Sequence, residues 1–243
     1  MKREPLGGGT VLYTTDEYRF GTDAVLLADF ADPKTKDKVC DLGCGGGIIP
    51  MLFCRDNKGS EVYGIDIQKG ACDIAEAAAK ENGFNNLQII NADLRELKGV
   101  IPFSQFNVVT CNPPYKKGGA GITNPNEARY IARHEAECTL GDVCSAASKL
   151  LISSGRFCVC HRPERLSDII DEMRRNKIEP KRLRTVHQRE GLEPWLVLIE
   201  GRRDGKSGMR ILPPLFVENV EGELSDEMKQ IYGIYKFSEG ESE

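Results

Sequence analysis

From residue 38 onward, short apolar runs of strand length alternate with stretches of helical periodicity, and this alternation constrains the fold more than any other feature of the chain. Strand, crossover helix and next strand in repetition define an α/β domain with a mostly parallel sheet and helices on both faces. Val39-Cys-Asp-Leu42 reads as the first strand, leading into the loop Gly43-Cys-Gly-Gly-Gly47 and a helix through Arg55. Glu61–Asp66 is the second strand, followed by an alanine-rich helix over Gln68–Asn82 that Gly83 stops. Leu87–Asn91 and Phe106–Cys111 follow as strands. Leu140, Val143, Cys144, Ala147 and Leu150 recur at helical spacing, with Gly155 expected to end that helix. Arg156–His161 is the next strand, and Pro163 starts a helix striped by Leu166, Ile169, Ile170 and Met173. Lys181–His187 and Trp195–Glu200 then read as an antiparallel pair, which makes a sheet of seven strands with one reversed strand near an edge.

The flanks are read as parts of the same unit. Residues 1–37 offer a small hairpin, Thr10–Thr14 against Tyr18–Phe20, and a helix over Asp23–Phe30. Residues 38–203 are the main domain, and 204–243 an extended arm, in which Pro213-Pro214 excludes a helix, followed by an acidic tail.

Several classes of protein fall away on composition. No apolar run approaches the roughly 18 residues of a membrane span, and Met1–Thr10 lacks the apolar stretch of a secretory signal. A cytoplasmic location, without a membrane partner, is expected. The nine cysteines fit that compartment, because Cys40, Cys111, Cys158 and Cys160 sit within apolar strands as small hydrophobes. There is no Cys-x-x-Cys pair, and His134, His161 and His187 are far apart, so no metal is expected. Charge is uneven. Arg156 to Arg210 carries fourteen Lys/Arg against nine Asp/Glu, a net of +5 on a chain of net −4, which leaves −9 elsewhere. A basic lobe on an acidic chain suits a polyanion, although scattered surface charge would give the same count.

The loop Asp41-Leu-Gly43-Cys-Gly45-Gly-Gly47 follows a buried strand with glycines at alternate positions. Small residues there let the backbone approach a ligand closely, and the next helix offers free N–H groups. Ile48 stands where a third glycine of the dinucleotide fingerprint would fall, which departs from the pattern for a pyrophosphate cofactor such as NAD. Asp66 closes the second strand nineteen residues beyond Gly47, where a carboxylate can accept both ribose hydroxyls. Asp93 closes the third, suited to an adenine amino group, and Ile67 and Leu94, next in the chain, belong to the same adenosyl pocket. The plain alternative is that these carboxylates cap the helices that follow.

Val108-Val-Thr-Cys-Asn112-Pro-Pro-Tyr115 is the most informative stretch. An apolar strand ends in an amide, two prolines that stiffen the chain and remove donors, and an aromatic ring. The Asn112 side-chain oxygen and the Pro113 carbonyl can both accept from one planar NH2 group, Pro114 holds the turn, and Tyr115 can stack on a flat substrate. Such a site aligns an amino nitrogen with an electrophilic methyl group and needs no strong base before attack.

These residues resemble class I methyltransferases that act on amino groups and, more narrowly, the bacterial valine-tRNA adenine N6-methyltransferase-like family. Phe20-Gly-Thr-Asp23-Ala-Val-Leu-Leu27, Ala132-Arg-His-Glu135, His161-Arg-Pro-Glu-Arg165, Glu179-Pro-Lys-Arg182 and Pro213-Pro-Leu carry the narrower likeness, which spans roughly residues 7–233. The resemblance implies a Rossmann-like fold, S-adenosyl-L-methionine as cofactor, and an adenine of tRNA or another structured RNA as substrate. It implies that Phe20, Thr22 and Asp23 pack near the methionine end of the cofactor, and that Arg133 and His134, with Arg129 and Glu135, lie on the substrate rim. Lys181, Arg182 and Arg184 are the expected grip on the RNA backbone. The Asn-Pro-Pro-Tyr tetrad also occurs in enzymes that methylate a glutamine of release factors. Those carry a helical amino-terminal domain, whereas some 37 residues precede the first strand here. A non-catalytic RNA-binding module of the same fold is the third reading, and the oligomeric state is left open.

Overall fold

A computed structural model describes residues 1–15, 18, 20–113 and 138–236 of the 243-residue chain. The first two strands, β1 (Lys2–Gly7) and β2 (Thr10–Thr14), form an antiparallel hairpin. The partner of Thr10–Thr14 thus comes from upstream, not from Tyr18–Phe20. Charged residues and Pro5 disguise β1, while Gly7, Gly8 and Gly9, all at positive φ, make the tight reversal. After helix α1 (Thr22–Ala31), the alternation begins: β3 (Lys38–Leu42), α2 (Ile48–Arg55), β4 (Glu61–Asp66), α3 (Lys69–Glu81), β5 (Leu87–Asn91) and β6 (Phe106–Cys111). Then follow α4 (Leu140–Leu150), β7 (Leu151–His161), a 3-10 turn (Pro163–Arg165), α5 (Leu166–Arg175), β8 (Ile178–His187) and β9 (Pro194–Arg203). The arm holds the short strands β10 (Arg210–Ile211) and β11 (Leu215–Phe216), and α6 (Asp226–Lys236) closes the described chain.

The main sheet runs β5-β4-β3-β6-β7-β9-β8, with β9 antiparallel to both neighbours and the other pairs parallel. β10 and β11 add themselves, parallel, to the outer edge of β8. The chain moves outward from β3 to β5 and then crosses to β6 on the other side of β3. This crossing opens a crevice at the carboxyl ends of β3 and β6.

Side-chain alternation divides each strand between two cores. Val108, Cys158 and Cys160 face the layer built by α1 and α2, with Leu26, Leu27 and Phe53 fully covered. Val109, Cys111 and Val159 face the layer of α4 and α5, with Ala147, Ile169 and Met173. Two expected boundaries move. Helix α4 ends at Leu150, because Leu151 is already extended, and Gly155 lies inside β7. A Cβ there would come within 3.0 Å of the Ile152 and Phe106 carbonyls, at the point where the β6–β7 register shifts. Glycine is required at this position by the irregular strand pairing, not by a helix end. Pro163 opens a 3-10 turn before the α-helix begins at Leu166.

The basic cluster of β8 is tied into the fold. Arg182 donates to the Phe30 carbonyl at 3.0 Å and to Glu200 at 2.7 Å, and stacks 4.7 Å over the Phe30 ring. Arg156 donates to the Ala31 carbonyl at 2.7 Å and shares Glu200 at 3.1 Å. Two guanidiniums therefore satisfy the open carbonyls at the carboxyl end of α1 and neutralise a carboxylate that is 2% exposed. Arg184 donates to the Pro213 carbonyl and pairs with Glu227 of α6, and the Lys181 ammonium donates to the Lys206 and Gly208 carbonyls.

Candidate active site

A cavity of about 510 Å³ opens at the carboxyl ends of β3, β4, β6 and β7. Its floor is the glycine loop. The N–H groups of Gly43 and Cys44 both donate to the Ile65 carbonyl, at 2.8 and 3.0 Å, which moors the loop to the end of β4. Gly43 and Gly45 have φ of 71° and 53°, and a Cβ on either would meet no protein atom within 4 Å. Both residues line the cavity, so backbone is presented to whatever occupies it.

Gly47 has a different job from the one expected. It does not line the cavity, and a Cβ there would fall 2.9 Å from the Ala75 Cβ, so this glycine lets α2 approach α3. Gly46 takes its place in the wall. Asp41 also lies beneath the site. It is 2% exposed and accepts a hydrogen bond from the Thr110 hydroxyl at 2.6 Å, which joins β3 to β6 under the loop. Burial above all, with the nearby Asp66 charge, pushes its carboxyl up to about 8.

Asp66 accepts from the Gly45 N–H through one oxygen and from the Gln68 N–H through the other, each at 2.8 Å. Each oxygen retains a lone pair. Asp66 and Ile67 both line the cavity, as do Asp93 and Leu94. Asp93 receives the Arg95 guanidinium across both oxygens, with Nε at 2.9 and 3.0 Å, and Arg95 holds its carboxyl below the usual carboxylate range. The Thr139 hydroxyl and Asp142 form a capping box at the start of α4, which fixes the wall made by Thr139, Leu140 and Val143.

Asn112 and Pro113, directly after β6, line the same cavity as the glycine loop. Cys111 pairs with Val159, so the next residue of each strand comes into line, and the Cys160 thiol donates to the Asn112 side-chain oxygen at 3.0 Å. His161, the last residue of β7, lines the cavity and is 5% exposed. Its Nδ1 accepts from the Arg162 N–H at 2.8 Å, which leaves the proton on Nε2. Burial, then the Arg165 and Arg162 charges, push it down to about 4, so the ring is neutral at physiological pH.

Phe20, Thr22 and Asp23 do not line the cavity. Thr22 accepts instead from the Tyr232 hydroxyl of α6 at 2.8 Å, and the Asp23 carboxylate accepts from the Ala24 N–H at 3.0 Å. From this segment Tyr18 reaches the wall, with its hydroxyl 3.3 Å from the Gln68 oxygen. Lys181, Arg182 and Arg184 are not brought to the cavity either, for the internal bonds described above hold them on β8. Pro114, Tyr115, Arg129, Arg133, His134 and Glu135 lie outside the described residues. Sequence reasoning passed over Tyr18, Gln68, Arg95, Thr139, His161 and Arg165 as cavity residues. His161 and Gln68 were within its reach, since both follow the rule that ligands meet the carboxyl ends of parallel strands.

A parallel sheet in this order with one reversed strand, a glycine loop after β3 and a carboxylate ending β4 define a Rossmann-like, S-adenosyl-L-methionine-dependent methyltransferase. The chain belongs to the methyltransferase domain family, whose profile matches residues 33–203, and within it to the family of tRNA1(Val) (adenine(37)-N6)-methyltransferases. A Porphyromonas gingivalis protein of that name is 30% identical over 191 residues, 76% of this chain and 74% of the relative. Another, from a Flavobacteriaceae bacterium, is 26% identical over 79% of this chain and 80% of its own. Among solved structures, a predicted O-methyltransferase from Agrobacterium tumefaciens superposes with a TM-score of 0.69 over 88% of this chain and 97% of its own, at 18% identity, a likeness of fold.

The residues present fit the cofactor: open backbone at Gly43 and Gly45, a carboxylate with free lone pairs at Asp66, and an apolar side chain at Ile67 that is 54% exposed. With Asp66 read as the ribose acceptor, Asp66→Ala is expected to weaken binding of both S-adenosyl-L-methionine and its demethylated product by about 1–3 kcal/mol, since the hydroxyls would lose an acceptor and Gly45 its anchor. Calorimetry with the two ligands, and with NAD as the control that should not bind, checks this. An Asp66→Ala variant of normal affinity would move the ribose elsewhere.

Proposed function

We propose that this protein methylates the exocyclic amino nitrogen of an adenine in tRNA. The observation that carries the reading is that Asn112 and Pro113 line the same cavity as the glycine loop and Asp66. Bound S-adenosyl-L-methionine supplies a methyl group that is already electrophilic. What the chain must add is alignment. Asn112, through its side-chain oxygen, and Pro113, through its carbonyl, accept from the two N–H bonds of the target amine and turn its lone pair toward the methyl carbon. Tyr115 stacks on the base, and His161 lines the same cavity as a neutral ring. No residue has to remove a proton before attack: the amine nitrogen would bond to the methyl carbon as the sulfonium carbon–sulfur bond breaks, and would lose its proton to water afterwards.

The names of the relatives support tRNA as the substrate, in agreement with the motifs in His161-Arg-Pro-Glu-Arg165 and Glu179-Pro-Lys-Arg182. The RNA grip is revised to the mouth of the cavity. Arg165 lines it and is 43% exposed, and Arg162, three residues earlier in the chain, has no carboxylate partner among the described residues. Arg133 and His134 complete the proposed rim. The test is a tritium-transfer assay offering unmodified tRNA or release factor, followed by mass spectrometry of the tRNA nucleosides. N6-methyladenosine in the RNA is expected. Label confined to the protein substrate would replace adenine by a glutamine amide as the acceptor.

A further inference from the structure

An amide is useful as an acceptor only if its oxygen, and not its NH2 group, is turned toward the substrate amine. The two ends of an asparagine amide have nearly the same shape, and its terminal torsion is broad and roughly two-fold, so the side chain alone does not choose. Some neighbour has to decide. At Asn112 that neighbour is Cys160, whose thiol donates to Oδ1 at 3.0 Å across the parallel pair of β6 and β7. The thiol has no exposure to solvent and sits in a strand buried on both faces, so it is held in one position. A donor on that side favours the amide with its oxygen toward sulfur, because the flipped amide would give up the S–H···O bond and have only sulfur, a weak acceptor, to receive its N–H. Because a thiol is a weak donor, it orients the amide while leaving the second lone pair of the oxygen a strong acceptor.

We infer that Cys160 is a positioning residue for methyl transfer, acting through the Asn112 amide by fixing which end of it faces the target amine. The inference rests on the reading of Asn112 as acceptor for an amino nitrogen. The experiment compares Cys160→Ala, Cys160→Val and Cys160→Ser in the full chain and, for Cys160→Ala, in an Asn112→Ala background as well. Rates are measured on unmodified tRNA at saturating S-adenosyl-L-methionine, beside calorimetric affinity for that cofactor and thermal unfolding.

Cys160→Ala is expected to lower kcat on the order of threefold to tenfold, the scale of one neutral hydrogen bond, with KM and cofactor affinity unchanged. Cys160→Val, which lacks the donor but fills the space, should be as slow, and it carries the comparison if the alanine variant does not fold. Cys160→Ser restores a donor and should recover most of the rate even if it unfolds at a lower temperature. In the Asn112→Ala background, Cys160→Ala should leave the residual single-turnover rate as it was. A serine variant as slow as valine, a valine variant of normal rate, or an equal loss without Asn112 would each overturn the inference. A wild-type protein that labels no amino nitrogen would remove the reading beneath it, a different result from wild-type transfer indifferent to residue 160.

Discussion

Asn112→Ala is expected to lower kcat on tRNA by about a hundredfold to a thousandfold, the range seen when one preorganised partner of a developing charge is removed. As the carbon–nitrogen bond forms, the amine nitrogen becomes positive and its N–H bonds become stronger donors. In the proposed mechanism the Asn112 oxygen and the Pro113 carbonyl would therefore bind the transition state more tightly than the substrate, and that difference would accelerate the step. KM for tRNA should change little, because the amide contributes a small part of a large interface. Cofactor affinity should stay close to wild type, since Asp66 and the backbone at Gly43 and Gly45 are untouched. Rapid-quench single-turnover kinetics isolate the chemical step, and calorimetry reads the cofactor. A variant that binds both partners and still turns over at a near-normal rate would make Asn112 a helper of the turn, with the mechanism elsewhere. The same chemistry predicts no rate loss from protonation of His161 above about pH 5, because that ring is already neutral through burial and its arginine neighbours.

Much of this site was legible in the sequence because parallel α/β sheets deliver their ligands to the carboxyl ends of strands. Asp66 and Asp93 were found at strand ends, and they line the cavity with Ile67 and Leu94. Asn112 was found for the same reason. What local spacing did not reveal falls into two kinds. Gly47 belongs to the glycine pattern, yet the distance that decides its role is to Ala75 on another helix, which no local spacing reveals. Lys181, Arg182 and Arg184 form the densest basic run, but charge counted along the chain cannot tell a solvated arginine from one that caps α1 or pairs with Glu200. Cys160 was read as a small hydrophobe. It is one by burial, and its contact with Asn112 depends on the register of β6 against β7. The hairpin shows the reverse limit: β1 is a strand whose residues argue against it, and three glycines at positive φ make it pair with β2.

Binding of tRNA is expected to weaken by orders of magnitude between about 50 and 200 mM salt, as it does for proteins that neutralise several phosphates. The chain carries a net charge of −4, so the attraction has to be local. In the Arg156–Arg210 stretch many of the arginines are committed: Arg156 and Arg182 to Glu200, Arg174 to Glu179, Arg175 to Glu172 and Arg184 to Glu227. Arg165 differs, for it lines the cavity and is held there by a half-exposed pair with Asp168 that a phosphate can displace at small cost, and Arg162 stands between it and His161 in the chain. Replacing both by glutamine should make the log–log salt slope shallower by about 1.4–1.8, at about 0.7–0.9 per phosphate contact, while cofactor affinity stays unchanged. Replacing Arg182 by glutamine should behave differently. It leaves the buried Glu200 with one guanidinium and uncaps the end of α1, so the thermal midpoint falls while the salt slope stays near wild type. A filter-binding salt series, run beside thermal unfolding for each variant, separates the two. A slope that responds to Arg182 and ignores Arg162 and Arg165 would return the RNA to the β8 edge and detach it from the mouth of the cavity.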